Sequence, residues 1–272
     1  MRQLPSFRRP PVTEVVIAAR FKRANRFSLP ALGRIAQKMA EAGFSKTEER
    51  PAYDAPVEEF GSLAEQNGLG LELHLGPPPI LYRFLNDAGD ELLQVQPNWF
   101  AANWRKVDPK AEYGRWNSRW DAFQRWLTVV AESVADGELD FEQVEVTYVN
   151  HIESLGVWSD HGDAPQVFTT LVPIGGEFLG GPEQYSTDLK FVIRSVSDEE
   201  KCLGRLHVSI QPAFRRGANT PIFVMKLTAR GPATGPGVEG VQGFADIAHE
   251  WIVRGFTDLT SEAMHQAWNR LT

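Results

Sequence analysis

Five large apolar residues between positions 116 and 130 constrain this chain more than anything else in it. Trp116, Trp120, Phe123, Leu127 and Val130 recur at spacings of three and four, so a helix over residues 113–135 lines them along one face. A stripe that wide needs a broad apolar surface to lie on, and the neighbouring segments read as strands that supply one. Residues 141–153 alternate, with Val144, Val146, Tyr148, Asn150 and Ile152 on one side. Residues 12–21 place Val15, Ile17 and Ala19 on one face and Glu14, Val16 and Ala18 on the other, because successive side chains of a strand alternate. Residues 71–75, 80–85, 91–96 and 99–106 read as further strands. Asn86-Asp87-Ala88-Gly89 turns between two of them, with residues that tolerate left-handed backbone.

The second half adds strands at 189–196, 203–211 and 222–228, the last two separated by Arg215-Arg216-Gly217-Ala218-Asn219. Two more helices are expected. In the first, Ser28 is an N-cap, Pro30 occupies the first turn, Leu32, Ile35, Ala36 and Met39 keep helical spacing, and Gly43 ends it. In the last, Phe244, Ile247, Trp251 and Ile252 form a stripe that Gly255 interrupts, and Thr260 caps a final segment carrying Met264 and Trp268. Residues 45–69 read as a polar loop with a helical turn near 58–66. Residues 155–185 read as a loop with a short strand at 167–171, and 231–237 as a Gly-Pro connector. The expected fold is α+β: an antiparallel sheet with helices packed on one face, in a single globular unit of residues 1–272. The element order also suggests two pseudo-repeated halves, 12–136 (β-α-βββ-α) and 140–272 (β-loop-βββ-α).

The formal net charge of −7 over 272 residues disfavours nucleic-acid binding, which usually needs a basic face. A lone cysteine, Cys202, forms no internal disulfide and fits a reducing compartment. The first residues carry no apolar run of a signal peptide, and no stretch reaches the 18 apolar residues of a membrane span. A cytoplasmic protein with no membrane association is expected.

The richest local feature is residues 94–106. Gln94, Gln96, Asn98, Trp99, Asn103, Trp104 and Arg105 combine four amides, two indoles and a guanidinium. Indole faces stack on flat ligands, amides read polar edges, and a guanidinium clamps a carboxylate or phosphate. The same residues equally serve as strand decoration and as packing under a helix. Glu14 opens an apolar strand and needs a partner if buried; Arg105 is the natural candidate. Asn150 sits on the apolar parity of its strand. His151, Glu153 and His207 lie on two strands, but no tight His-x-His or His-x-x-x-His spacing exists, so no metal and no cofactor are expected. Nucleophile-elbow, phosphate-loop, dinucleotide and His-Glu-x-x-His motifs are absent from the sequence.

Several phrases together resemble a known family. They are Leu4-Pro5-Ser6-Phe7 running into Pro10-Pro11-Val12-Thr13-Glu14-Val15, Gln94-Val95-Gln96-Pro97-Asn98 with Asn103-Trp104-Arg105, Tyr148-Val149-Asn150, and Phe256-Thr257-Asp258-Leu259-Thr260 with Met264-His265 and Trp268. The family is an uncharacterised prokaryotic one, sporadically distributed among bacteria and archaea. The resemblance spans nearly the whole chain. It implies no activity or catalytic residue; its scattered distribution is compatible with an accessory role in mobile or defence-associated loci.

The leading expectation is a non-catalytic protein that presents a sheet surface or groove to a protein partner or small ligand. The candidate residues are Glu14, Gln94, Gln96, Asn98, Trp99, Asn103, Trp104, Arg105 and Asn150. One alternative is a hydrolase or nuclease built on Glu14, Arg105, Asn150 and His151. Another is nucleic-acid binding through residues 103–106, Arg2, Arg8 and Arg9, and the Arg215-Arg216 turn.

Overall fold

Among the described residues nine strands, most of them period-two runs, pair into one antiparallel sheet. In the computed structural model, which describes residues 3–22, 27–60, 80–111, 113–135, 139–195, 198 and 200–272, the strands are β1 (Val12–Phe21), β2 (Lys46–Pro51), β3 (Ile80–Leu85), β4 (Glu91–Gln96), β5 (Trp99–Arg105), β6 (Phe141–Ile152), β7 (Thr187–Arg194), β8 (Cys202–Phe214) and β9 (Pro221–Gly231). Their spatial order is β2-β3-β4-β5-β1-β6-β9-β8-β7. The helices are α1 (Leu29–Glu41), α2 (Trp116–Ala135), the short α3 (Ala164–Val167), α4 (Gly237–Leu259) and α5 (Glu262–Ala267). A meander of antiparallel strands returns to pair with the first strand of its half in both cases, β5 with β1 and β9 with β6, and a long helix follows each. The meander has four strands in the first half and three in the second, where the expected pattern has three in each.

All three long helices lie on one side. α2 rests on β1 and β5, α4 on β6, β9 and β8, and α1 on α2. The α2 stripe of Trp116, Trp120, Phe123, Leu127 and Val130 is buried as the spacing predicts. It packs in one cluster with Val15, Ile17, Ala19, Phe100, Val144 and Val146. Fully burying a side chain such as Phe123 or Leu127 contributes about 1.5–3 kcal/mol, so this contact dominates the first half of the core.

Several expectations are corrected. Residues 46–51 are a strand, not a loop. β2 is an all-polar edge strand, held by backbone pairing to β3 and by the Glu48–Arg83 ion pair of 3.0 Å, so it shows no apolar period. Residues 164–167 are helical where a strand at 167–171 is expected, and only Phe168 bridges, to Thr260. Gly255 does not break α4. A Cβ there would stand 3.0 Å from Leu206 Cδ2, so its missing side chain lets the helix settle on β8. The cap of α5 is Ser261, not Thr260; the Thr260 hydroxyl bonds Phe256 O at 2.7 Å and His265 Nε2 at 2.9 Å. The expected strand at 71–75 and most of the expected turn at 58–66 fall outside the described residues.

The two chain ends meet. Arg8 N–H and Arg9 N–H donate to the carbonyls of Asn269 and Trp268, and Leu271 N–H to Ser6 O. Phe7 packs edge-on to Phe256 and Trp268. Phrases that lie more than 240 residues apart in the sequence thus form one aromatic clasp with His265.

Candidate functional site

Strand parity divides the sheet into an apolar face under the helices and a polar face away from them. The cross-strand registers carry the polar face across the molecule. One row runs Leu92, Asn103, Val16, Thr147, Thr228, His207, Lys190; the next runs Arg105, Glu14, Val149, Lys226, Ser209, Asp188. Among the described residues the long helices pack on the other side, so helix packing by them does not explain this polar chemistry.

The residues singled out in the sequence separate between the two faces. Gln94, Asn103 and Glu14 come together on the polar face: Gln94 Nε2 donates to Asn103 Oδ1 at 3.0 Å, and Asn103 Nδ2 donates to Glu14 Oε1 at 2.9 Å. Arg105 lies opposite Glu14 in register, yet its guanidinium donates to Gly89 O at 3.0 Å. The expected Glu14–Arg105 ion pair is absent from the described contacts, because Glu14 is only partly buried and an amide suffices for it. Trp99 is buried on the polar side against Tyr53, with ring centroids 5.2 Å apart. Trp104, five positions on and so of opposite parity, is buried on the helix side beneath Arg119 and beside Tyr113. Asn150 is also on the helix side, buried and donating to Met225 O at 3.2 Å. Asn150 therefore faces away from Glu14, Arg105 and His151, and those four do not converge.

Gln96 and Asn98 have another task. Gln96 Oε1 accepts from Tyr53 N–H at 3.0 Å, while its Nε2 donates to Tyr53 O at 2.9 Å and to Asn98 Oδ1 at 3.0 Å. Gln143 repeats the grip, accepting from Glu58 N–H at 2.7 Å and donating to Pro56 O at 2.8 Å. Two glutamine side chains thus hold the backbone of residues 52–60 as a strap over the polar face. It passes over a patch of small residues, Ala18 and Ala101, and buries Ala55 against them with Leu81 and Trp99.

The strap delivers a carboxylate that sequence reasoning missed. The Glu58 side chain is 5% exposed and accepts from Arg205 at 2.6 Å, His207 Nε2 at 2.7 Å and Arg230 at 3.4 Å. Burial alone would raise its pKa; the hydrogen bonds and charges of His207 and Arg205 outweigh it and hold the carboxyl at about 2. Beside this knot a cavity of about 330 Å³ opens, lined by Asp188, Lys190, His207, Ser209, Lys226, Thr228 and Arg230. Arg230 is also paired with Glu145 at 2.6 Å. Lys190 and Lys226 are exposed, and neither has a hydrogen bond or ion pair among the described residues. A signal for these positions exists in the sequence: Lys226 and Thr228 alternate with Met225 and Leu227, and His207 and Ser209 with Leu206, Val208 and Ile210.

On the helix side, His249 stacks flat on Trp116, centroids 4.6 Å apart and planes 3° from parallel. The hydroxyls of Tyr113 and Tyr148 meet at 2.6 Å, and Trp116 Nε1 donates to Asp246 at 2.9 Å. Burial pushes both tyrosines up and His249 down to about 4. These groups are packed between α2, α4 and the sheet.

Among the described residues no three His, Cys, Asp or Glu side chains stand close enough to hold a metal ion, and no helix is long and apolar enough to cross a membrane. Against models of known protein families and against curated proteins, the chain gives no match.

Proposed function

We propose that this chain is a non-catalytic binding protein that takes a small ligand on the sheet face opposite its long helices. One observation carries the reading. Lys226 stands exposed in the interior of the sheet, on β9 between β6 and β8, without a partner among the described residues. Lysine is depleted from strands because it gains little there, so a lone ammonium at this place serves something other than the fold. The Gln94–Asn103–Glu14 chain supports the reading from the other half of the same face, with directed donors and acceptors fixed on rigid strands. Membership of the sporadically distributed family and a cytoplasmic location belong to the same proposal; the lone Cys202 supports the latter.

The test is a thermal-shift screen of small metabolites grouped by charge, followed by hydrogen exchange with any stabilising compound. Protection is expected at β5, β6, β8 and β9, with stabilisation reduced by Asn103→Ala or Lys226→Ala. A ligand whose protection maps to the helix side, or which both variants bind unchanged, would overturn the reading.

A further inference from the structure

We propose that the cavity flanked by β7 and β9 is an anion site for a small phosphate monoester, and that Glu58 of the strap is its internal competitor. The inference rests on the reading that the sheet face opposite the long helices binds a small ligand, and it names the ligand class.

Three features point to an anion. First, Lys190 and Lys226 stand on either side of β8 and line one cavity with no anion of their own. Second, His207, Ser209 and Thr228 lie between and beside them in the registers Lys190–His207, His207–Thr228 and Ser209–Lys226. That arrangement adds hydroxyl and imidazole groups able to bond phosphate oxygens. Third, the adjoining wall already holds an anion. The Glu58 carboxylate sits within 3.4 Å of Arg205, His207 and Arg230, so these strands are built to desolvate and bind negative charge. Asp188 is the one acidic side chain lining the cavity, and it leaves the two lysines in excess.

Two ammonium groups against the one carboxylate of Asp188 leave a single net positive charge, so the number of donors selects the ligand as much as charge does. A phosphate monoester offers three strong acceptor oxygens, enough to meet both lysines and a hydroxyl of Ser209 or Thr228 together, whereas a carboxylate offers two. A volume of about 330 Å³ lies at the small end of the roughly 300–1,000 Å³ of ligand pockets, the size of a sugar phosphate and not of a polymer. Glu58 then occupies the neighbouring half of the same positive field. His207 is shared: it bonds Glu58 at 2.7 Å and also lines the cavity. A bound phosphate competes with Glu58 for it.

Calorimetric titration of the full chain with inorganic phosphate and with glucose 6-phosphate, at about 50 and 300 mM salt, tests this. Binding is expected at low salt and weakens as salt rises, since charges in an open groove are screened. Lys226→Ala and Lys190→Ala, both exposed and without a side-chain hydrogen bond or ion pair among the described residues, should each weaken binding roughly tenfold, while Lys226→Arg retains it. Glu58→Gln should tighten binding severalfold, by releasing His207 and Arg205 from a competing charge while Arg230 keeps Glu145. No binding by the wild type, or wild-type affinity in both alanine variants, would overturn the site; unchanged affinity in a folded Glu58→Gln protein would overturn the competitor. Should phosphate fail while a neutral or cationic compound protects the same strands from exchange, the anion inference falls and the sheet-face reading stands. Phosphate binding that protects only the helix side would sink both.

Discussion

His249 lies flat on Trp116 with its protonated form disfavoured by burial. Its pKa falls from 6.5 to about 4, so the unfolded chain takes up a proton between those values and the folded chain does not. Stability is therefore complete above pH 6.5 and is lost as pH falls toward 4, by at most about 3 kcal/mol at 1.36 kcal/mol per unit. Glu58 acts in a lower window. Its folded pKa of about 2 lies below the ordinary 4.5, so its contribution is present above pH 4.5 and disappears as pH falls toward 2. Urea midpoints measured every half unit separate the two. A His249→Phe protein keeps a ring on Trp116 and should show a flattened profile from pH 6.5 to 4.5, with the lower fall intact. A profile parallel to wild type in that upper window would mean that His249 is not its source. At this scale the sequence was legible in residue type and not in partner. Glu14, Gln94 and Asn103 stood out as polar candidates, but their contact depends on the registers of three strands and the partner expected for Glu14 was Arg105. The Glu58 knot did not stand out, because its carboxylate comes from a segment with no period and reaches residues about 150 to 170 positions away.

α4 seats on the sheet through a gap left by two glycines. Gly204 of β8 and Gly231 of β9 are adjacent across the strands, as the neighbouring pair Arg205–Arg230 requires, and the Phe244 ring fills the space above both. A Cβ at Gly231 would stand 2.4 Å from Leu203 O and from Phe244 Cε2; one at Gly204 would stand 2.6 Å from Arg230 O and 2.8 Å from the same ring. Gly231→Ala should therefore destabilise by about 1–3 kcal/mol, the usual cost of overpacking. Phe244→Leu, by removing the ring, should recover part of that loss, so the double variant is less destabilised than the sum of the single ones. Additive losses in chemical denaturation would show that the clash is with the backbone alone. The same close approach explains why element boundaries were partly illegible. Gly255 reads as a helix breaker by propensity, but tertiary contact with Leu206 makes its small size an asset and α4 continues. β2 was missed for the opposite reason: an exposed edge strand need not be apolar on either face, so only its partner β3 reveals it. The long stripes of α2 and β6 were read correctly, because burial on one side imposes its period on the residues themselves.

On the scale of the molecule, the described residues close one face of the sheet with helices and the other in part, with a strap. The strap's hold is made by side chains acting as a surrogate strand: Gln96 and Gln143 each offer a donor and an acceptor to its backbone. Glu58 then locks the far end to β8 and β9. The difference in cover implies a difference in local stability, since opening the strap costs a few hydrogen bonds and ion pairs, while opening α2 or α4 exposes the core. Gln143→Leu tests this. It leaves Glu58 N–H and Pro56 O unpaired while filling similar volume, and each lost bond is worth about 1 kcal/mol net. Hydrogen exchange in residues 53–58 should accelerate roughly tenfold or more, at 1.4 kcal/mol per factor of ten, while amides of β1 and β6 beneath α2 and α4 keep their wild-type rates. The global urea midpoint should move little. If exchange accelerated equally in β1 and β6, the strap would be a cooperative part of the core and not a separable cover. If it accelerated only at 53–58, the polar face would be the part of the molecule that opens first, with Arg205, Arg230 and His207 released along with it.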